Sequence, residues 1–252
     1  MPKIGSVLRR DHGSFDVGPI PDLGGPFDTA AEYFEAWAAT AKFPTSEQHI
    51  RENMHRSRGP LEEVLASVRD FPKLINALAS SLSSRNNGPF PLYHPDLYHS
   101  NIMVDEKFNV LSFIDWQGAC TVPWEVVEFP LFLTAIPRAM DASWNYDELG
   151  QPKDEDTRLI WRERAEYVEM VRSAEATLQP DAWLSTTLAD AQSQSLATSM
   201  RVYKTGKLGL YNQILIPFQR KSREGEKDRG SCRIEYGDSQ IGETILTMTG
   251  GA

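Results

Sequence analysis

Between Tyr93 and Asp115 the chain sets four polar side chains around two short apolar runs, and this constrains the fold more than any other stretch. The segment reads YHPDLYHSNIMVDEKFNVLSFID. His94, Asp96 and Asn101 form H-x-D-x-x-x-x-N, and Asp115 follows at the end of SFID. Each of these groups is costly to bury without a partner. The apolar runs 102–104 and 110–114 flank DEKFN, which predicts a hairpin. A hairpin returns the chain to its start, so Asp115 is expected beside Asn101. Two carboxylates and one amide oxygen would then meet at one point. Hard oxygen donors of this kind suit Mg²⁺, which keeps some water and bridges phosphates. Asp96 would be free to take a proton from an attacking hydroxyl.

The rest of the chain predicts a mainly α fold with small β-hairpins, an α+β class. Residues 4–20 contain two extended runs around the turn signal Asp11-His12-Gly13. Thr29 and Glu32 have the T-x-x-E spacing of a capping box. Apolar residues at Ala30, Tyr33, Phe34, Trp37, Ala38 and Ala41 continue it as a helix over 29–41. Residues 60–83 carry a long helical stripe that begins at Pro60, and Pro72 is expected to break it into two helices. Residues 83–89 are a turn cluster, followed by an extended run at 90–93. A charged amphipathic helix is expected over 154–178, and one or two more over 181–203. The polar, Gly-rich stretch from 219 to 252 is expected to be a poorly ordered tail.

Charge and cysteine usage narrow the setting. A formal net charge of −9 over 252 residues argues against a general nucleic-acid binder, which would show a basic stripe. Two distant cysteines, Cys120 and Cys232, suggest a reducing compartment rather than a disulfide framework. The start MPKIGSVLRRDHG lacks an apolar signal core, and FPLFLTAIP is too short to span a bilayer. A cytoplasmic protein with no membrane association is the expectation.

The joint pattern is similar to the aminoglycoside phosphotransferase family, in particular its fungal branch, and more distantly to choline kinases and protein kinases. LYHPDLYHSNIMVDEKFNVLSFIDWQGACTVPWEVVEFP resembles that family's catalytic loop and metal-aspartate segment. KIGSVLRRDHGSFDVGPI, GPFDTAAEYFEAW, MDASWNY and YKTGKLGLYNQILIPF resemble further segments of the fungal members. The resemblance runs from residue 3 to about 218. It implies the helical large lobe of the protein-kinase-like fold over 1–218. It also implies transfer of the ATP γ-phosphate to a small-molecule hydroxyl. Asp96 would be the catalytic base, with His94 bracing its loop. Asn101 and Asp115 would hold Mg²⁺ on the nucleotide phosphates. Trp116 takes the place of a phenylalanine in protein kinases and is expected to pack.

One part of the kinase pattern is absent from the sequence. The resemblance implies that the hairpin and helices expected in the 95 residues before Asp96 belong to the large lobe. No G-x-G-x-x-G occurs, and Lys3 is not in a VAIK-like strand. The expectation is therefore a chain without the N-terminal nucleotide lobe and with impaired catalysis. The alternative is a non-catalytic, truncated kinase-like module that only folds or binds a partner. The face left by the missing lobe should be apolar and should support weak self-association.

Other residues have plainer readings. His99 lacks a second histidine or cysteine at metal-ligand spacing. Cys120 reads as inert core. Trp124, Phe129, Phe132 and Trp144 read as packing. Glu125 and Glu128 form either a solvated or salt-bridged face or a site for a cationic acceptor.

Overall fold

The computed structural model describes residues 3–9, 14–54, 60–178 and 181–234. The order begins with β1 (Gly5–Arg9), β2 (Phe15–Gly18), α1 (Ala30–Thr40), α2 (Glu47–Met54) and α3 (Leu61–Leu82). It continues with β3 (Leu92–Tyr93), β4 (Ile102–Val104), β5 (Val110–Phe113) and β6 (Cys120–Thr121). It ends with α4 (Glu155–Leu178), α5 (Trp183–Ala189), α6 (Ala191–Lys204) and α7 (Tyr211–Ile234). Helices dominate, with two small antiparallel sheets, so the class is mixed α+β. One sheet has the order β2-β1-β6-β3, and the other is the β4–β5 hairpin. The turn at Asp11-His12-Gly13 lies outside the described residues, although the strands it would join do pair, Arg9 opposite Phe15.

α1 begins where the capping box predicts. Thr29 Oγ1 accepts from Glu32 N–H, and the Glu32 carboxylate accepts from Thr29 N–H. Asn86 accepts the next two orphan amides, Ala30 N–H on its carbonyl and Ala31 N–H on its side chain. The first turn is thus satisfied from two places in the chain.

α3 is continuous through Pro72, which corrects the expected break. Proline has no N–H to donate to the carbonyl four residues back, so the carbonyl of Val68 lacks its helical partner. The Tyr203 hydroxyl of α6 donates to that carbonyl at 3.0 Å. A buried carbonyl that would otherwise be orphaned is satisfied from another helix, and the helix carries on.

The main core lies between α1, α3, α6 and α7. Phe34, Trp37, Phe71, Ile75, Leu196 and Leu215 are all buried there. Its centre is aromatic. Phe71 packs on Trp37, Tyr203 and Tyr211 with ring centroids 5.7, 5.5 and 4.9 Å away. Such ring pairs add to the stabilisation from area burial. A smaller core of Phe129, Leu133, Val168 and Leu188 sits under α4 and α5.

Helix ends in this half are also capped across the fold. Ser67 Oγ accepts from Asn212 N–H at the start of α7, at 2.8 Å. Glu175 of α4 accepts from Leu184 and Ser185 N–H at the start of α5. Asp190 joins α5 to α6: its N–H closes α5 on Thr186, and its carboxylate caps Gln192 and Ser193 of α6. α7 runs on through residues 219–234, where the composition had placed the polar tail. Residues 235–252 lie outside the described residues.

Candidate functional site

The 94–119 segment is held at its base like a drawn loop. β3 enters it and β6 leaves it, and these strands pair, Tyr93 opposite Cys120 and Leu92 opposite Thr121. Thr121 Oγ1 donates to the carbonyl of Lys3 at 2.7 Å, and Val7 N–H donates to the carbonyl of Ala119. The N-terminal hairpin therefore anchors this base.

Within the loop, His94 is 8% exposed and both its ring nitrogens are engaged. Nδ1 accepts from Asp96 N–H at 3.2 Å. Nε2 then carries the proton and donates to the carbonyl of Ile114 at 3.0 Å. The histidine thus links the polar turn to the far end of the hairpin. A 3-10 turn over His99–Asn101 delivers Asn101, which is buried. Its amide Nδ2 donates to the carbonyl oxygen and to Oδ2 of Asp96, at 2.8 and 3.0 Å. The β4–β5 ladder pairs Ile102 with Phe113, and Ile114 N–H donates to the carbonyl of Asn101 at 3.0 Å.

Ile114 is therefore bonded to both Asn101 and His94, and Asp115 is the next residue. All four sequence-predicted residues, His94, Asp96, Asn101 and Asp115, belong to one local network or adjoin it directly. Asp96 and Asp115 are exposed, and Asn101 is buried. Asp115 adopts φ of 57°, in the left-handed region that non-glycine residues seldom occupy. Backbone outliers of this kind cluster at working sites.

The donor chemistry fits a hard cation. Both hydrogens of the Asn101 amide point at Asp96, so its oxygen remains available. Among the described residues neither that oxygen nor the Asp115 carboxylate has a hydrogen-bond or ion-pair partner. No group of three His, Cys, Asp or Glu residues with metal-site geometry occurs among the described residues. Any ion here would be held by one carboxylate and one amide oxygen, completed by other oxygens such as water.

Two tryptophans, Trp116 and Trp144, depart from the sequence reading, whereas Trp124 and Phe132 pack as expected. Trp116 is 47% exposed, not core. It sets its ring on His94 with centroids 4.8 Å apart, and its indole N–H donates to the carbonyl of Phe113. Trp144 is 56% exposed. Trp124 packs on Trp183 beneath the Arg85 guanidinium, and Phe132 stacks on His99. Glu128 is buried, paired with Arg201 at 2.8 Å and accepting from Thr198 at 2.7 Å. Glu125 is buried as well and accepts from Ser84 N–H. The pair is thus not a solvated face, and Glu128 is committed to a structural ion pair. Burial pushes the Cys120 thiol up to about 11, which suits the inert reading.

Two features escaped the sequence reading. A cavity of about 220 Å³ lies against His94 and Trp116 and reaches Glu128 and Tyr167. Its walls come from residues about 90 positions apart, and no local motif marks them. A larger cavity lies beyond it under α4. No helix among the described residues is long and apolar enough to cross a membrane. Comparisons of the chain with protein-family models, with curated proteins and with solved structures gave no match in any of the three.

Proposed function

We propose that the chain is a phosphotransferase of the aminoglycoside phosphotransferase, kinase-like class, acting on a small-molecule hydroxyl, with catalysis impaired because it carries no G-x-G-x-x-G and no VAIK-like lysine strand. The observation that carries this reading is the pair of backbone hydrogen bonds made by Ile114, its N–H to Asn101 and its carbonyl to His94, which bring Asp115 back to the polar turn. Asp96 accepts the proton of the attacking hydroxyl. Asn101 orients the Asp96 carboxylate through its amide, and His94 holds the turn. The Asn101 oxygen and the Asp115 carboxylate are the groups that would hold Mg²⁺, which supplies charge neutralisation on the ATP phosphates.

Calorimetry with ATP, with and without Mg²⁺, tests the reading. Binding that requires Mg²⁺ is expected, with at least a roughly tenfold loss in Asp115→Gly. That substitution suits the φ of 57°, so the fold is spared. Asp96→Asn should keep binding and lose turnover by about 10²–10⁴. No binding up to millimolar ATP rejects the proposal.

A second reading, a non-catalytic kinase-like module that binds a partner, is favoured by the bare β4–β5 hairpin. Met103, Phe108, Leu111, Phe113 and Ile114 are all exposed. A patch of this kind supports weak self-association. Light scattering should show mass rising with concentration, and Leu111→Lys should suppress the rise. A monomer at all concentrations counts against it.

A further inference from the structure

A cavity of about 860 Å³ opens between α4 and the stretch around residues 129–139, with α5 and α6 completing its wall. Its size is that of a small-ligand pocket. Phe129, Trp161, Val168 and Leu188 give it an apolar lining. Its charged residues are three arginines, Arg138, Arg164 and Arg172, against one carboxylate, Glu169. This is a local cationic surplus in a chain of net charge −9.

The arginines differ in their commitments. Arg172 pairs with Glu169. Arg138 lies over the Tyr146 ring and has no carboxylate partner among the described residues. Arg164 is part-buried, donates Nε–H to the carbonyl of Leu133, and lies 4.7 Å over the Phe129 ring. Burial lowers the Arg164 pKa to about 10; nearby Glu128 opposes this, but both Glu128 oxygens are taken by Arg201 and Thr198. The fork of Arg164 has no ion-pair partner among the described residues. Guanidinium forks match planar oxyanions in two-point contacts, and their value rises in an apolar setting.

We infer that this cavity binds a small amphipathic organic acid, with an apolar body against Phe129 and Trp161 and a carboxylate on Arg164 and Arg138. A monoanion fits better than a phosphate dianion, because the apolar walls make the second charge costly to desolvate. Phe129 and Leu188 also line the smaller cavity beside His94. The acid therefore lies next to the cavity that touches the catalytic loop. That it is the phosphoryl acceptor, bearing the hydroxyl at its far end, rests on the phosphotransferase reading.

The test is calorimetry, supported by tryptophan fluorescence, on the full chain without ATP or Mg²⁺. The probes are 3-phenylpropionate, its amide, 3-phenylpropylamine and phenyl phosphate. The carboxylate should bind, with the amide about tenfold weaker and the amine undetected. Arg138→Gln should weaken the carboxylate about fivefold and leave the amide unchanged. Arg164→Met should weaken it further. Since Arg164 also packs on Phe129, the exposed Arg138 decides the matter if the Arg164 variant does not fold. Arg69→Gln, on α3, should change nothing. Equal binding of acid and amide, tighter binding of phenyl phosphate, no binding at millimolar concentration, or an unchanged Arg138→Gln each overturns the inference. Acid binding without any ATP binding would sink only the phosphotransferase reading, and the reverse result would sink only this one.

Discussion

Phe71 on α3 and Phe113 on β5 are both aromatic, both in regular elements, and both in runs of apolar sequence. Phe71 is 0% exposed and Phe113 is 42% exposed. Around Phe71, four helices contribute rings and aliphatic side chains. Around Phe113, β5 has one partner strand, and all four of its residues are exposed. An apolar pattern therefore specifies an element and its pairing, whereas burial depends on a second layer that the pattern does not name. A lone two-stranded hairpin is marginal by itself. Here it is held by the polar bonds of His94, Asn101 and Ile114.

The sharpest test of that contrast is a pair of truncations. Phe71→Ala should cost about 3–5 kcal/mol by urea unfolding, the range for opening a large aromatic cavity. Phe113→Ser should cost less than about 0.5 kcal/mol, as exposed sites do. Similar costs at the two sites would mean that the hairpin is covered in solution.

Cys120 extends the contrast to the sheet beside the hairpin. β6 is half-buried where β5 is exposed, and burial pushes the Cys120 thiol up to about 11. The thiolate is the reactive form, so its fraction at pH 8 falls as the pKa rises. In a Cys232→Ser background, alkylation at pH 8 should be roughly 100-fold slower than for a free thiol. The rate should climb as pH rises towards 11 rather than levelling off above 9. Fast alkylation at pH 8 would place β6 in solvent with the hairpin.

The bond between Tyr203 and Val68 offers a finer probe within the core. Tyr203→Phe should cost about 1–2 kcal/mol, because it orphans a buried carbonyl. In a Pro72→Ala background the helix regains its own donor, so the same change should cost less by about 1 kcal/mol. Additive costs would break this account of the unbroken α3. Smallest in effect, Thr29→Ala should remove about 1 kcal/mol through loss of the cap.

Legibility in the sequence follows the range of the interactions. The α1 cap was readable because Thr29 and Glu32 are three residues apart and bond to each other. The polar turn and Asp115 were readable for a similar reason: the hairpin between them is local. The continuity of α3 was not, since the donor that repairs Pro72 sits 135 residues from Val68. Glu128 was ambiguous because Arg201 lies 73 residues on. Trp116 and Trp144 were misread as packing because side-chain chemistry does not reveal whether a neighbour arrives. The arginine-lined cavity left no trace in the sequence, its charges being drawn from two separate segments.

Asp190 ends one helix with its amide and begins the next with its carboxylate, so no spare residue separates α5 from α6. A junction without slack behaves as a welded corner rather than a hinge. Leu188 and Gln194 on its two arms both border the larger cavity, so a displacement of either arm is passed directly to the other.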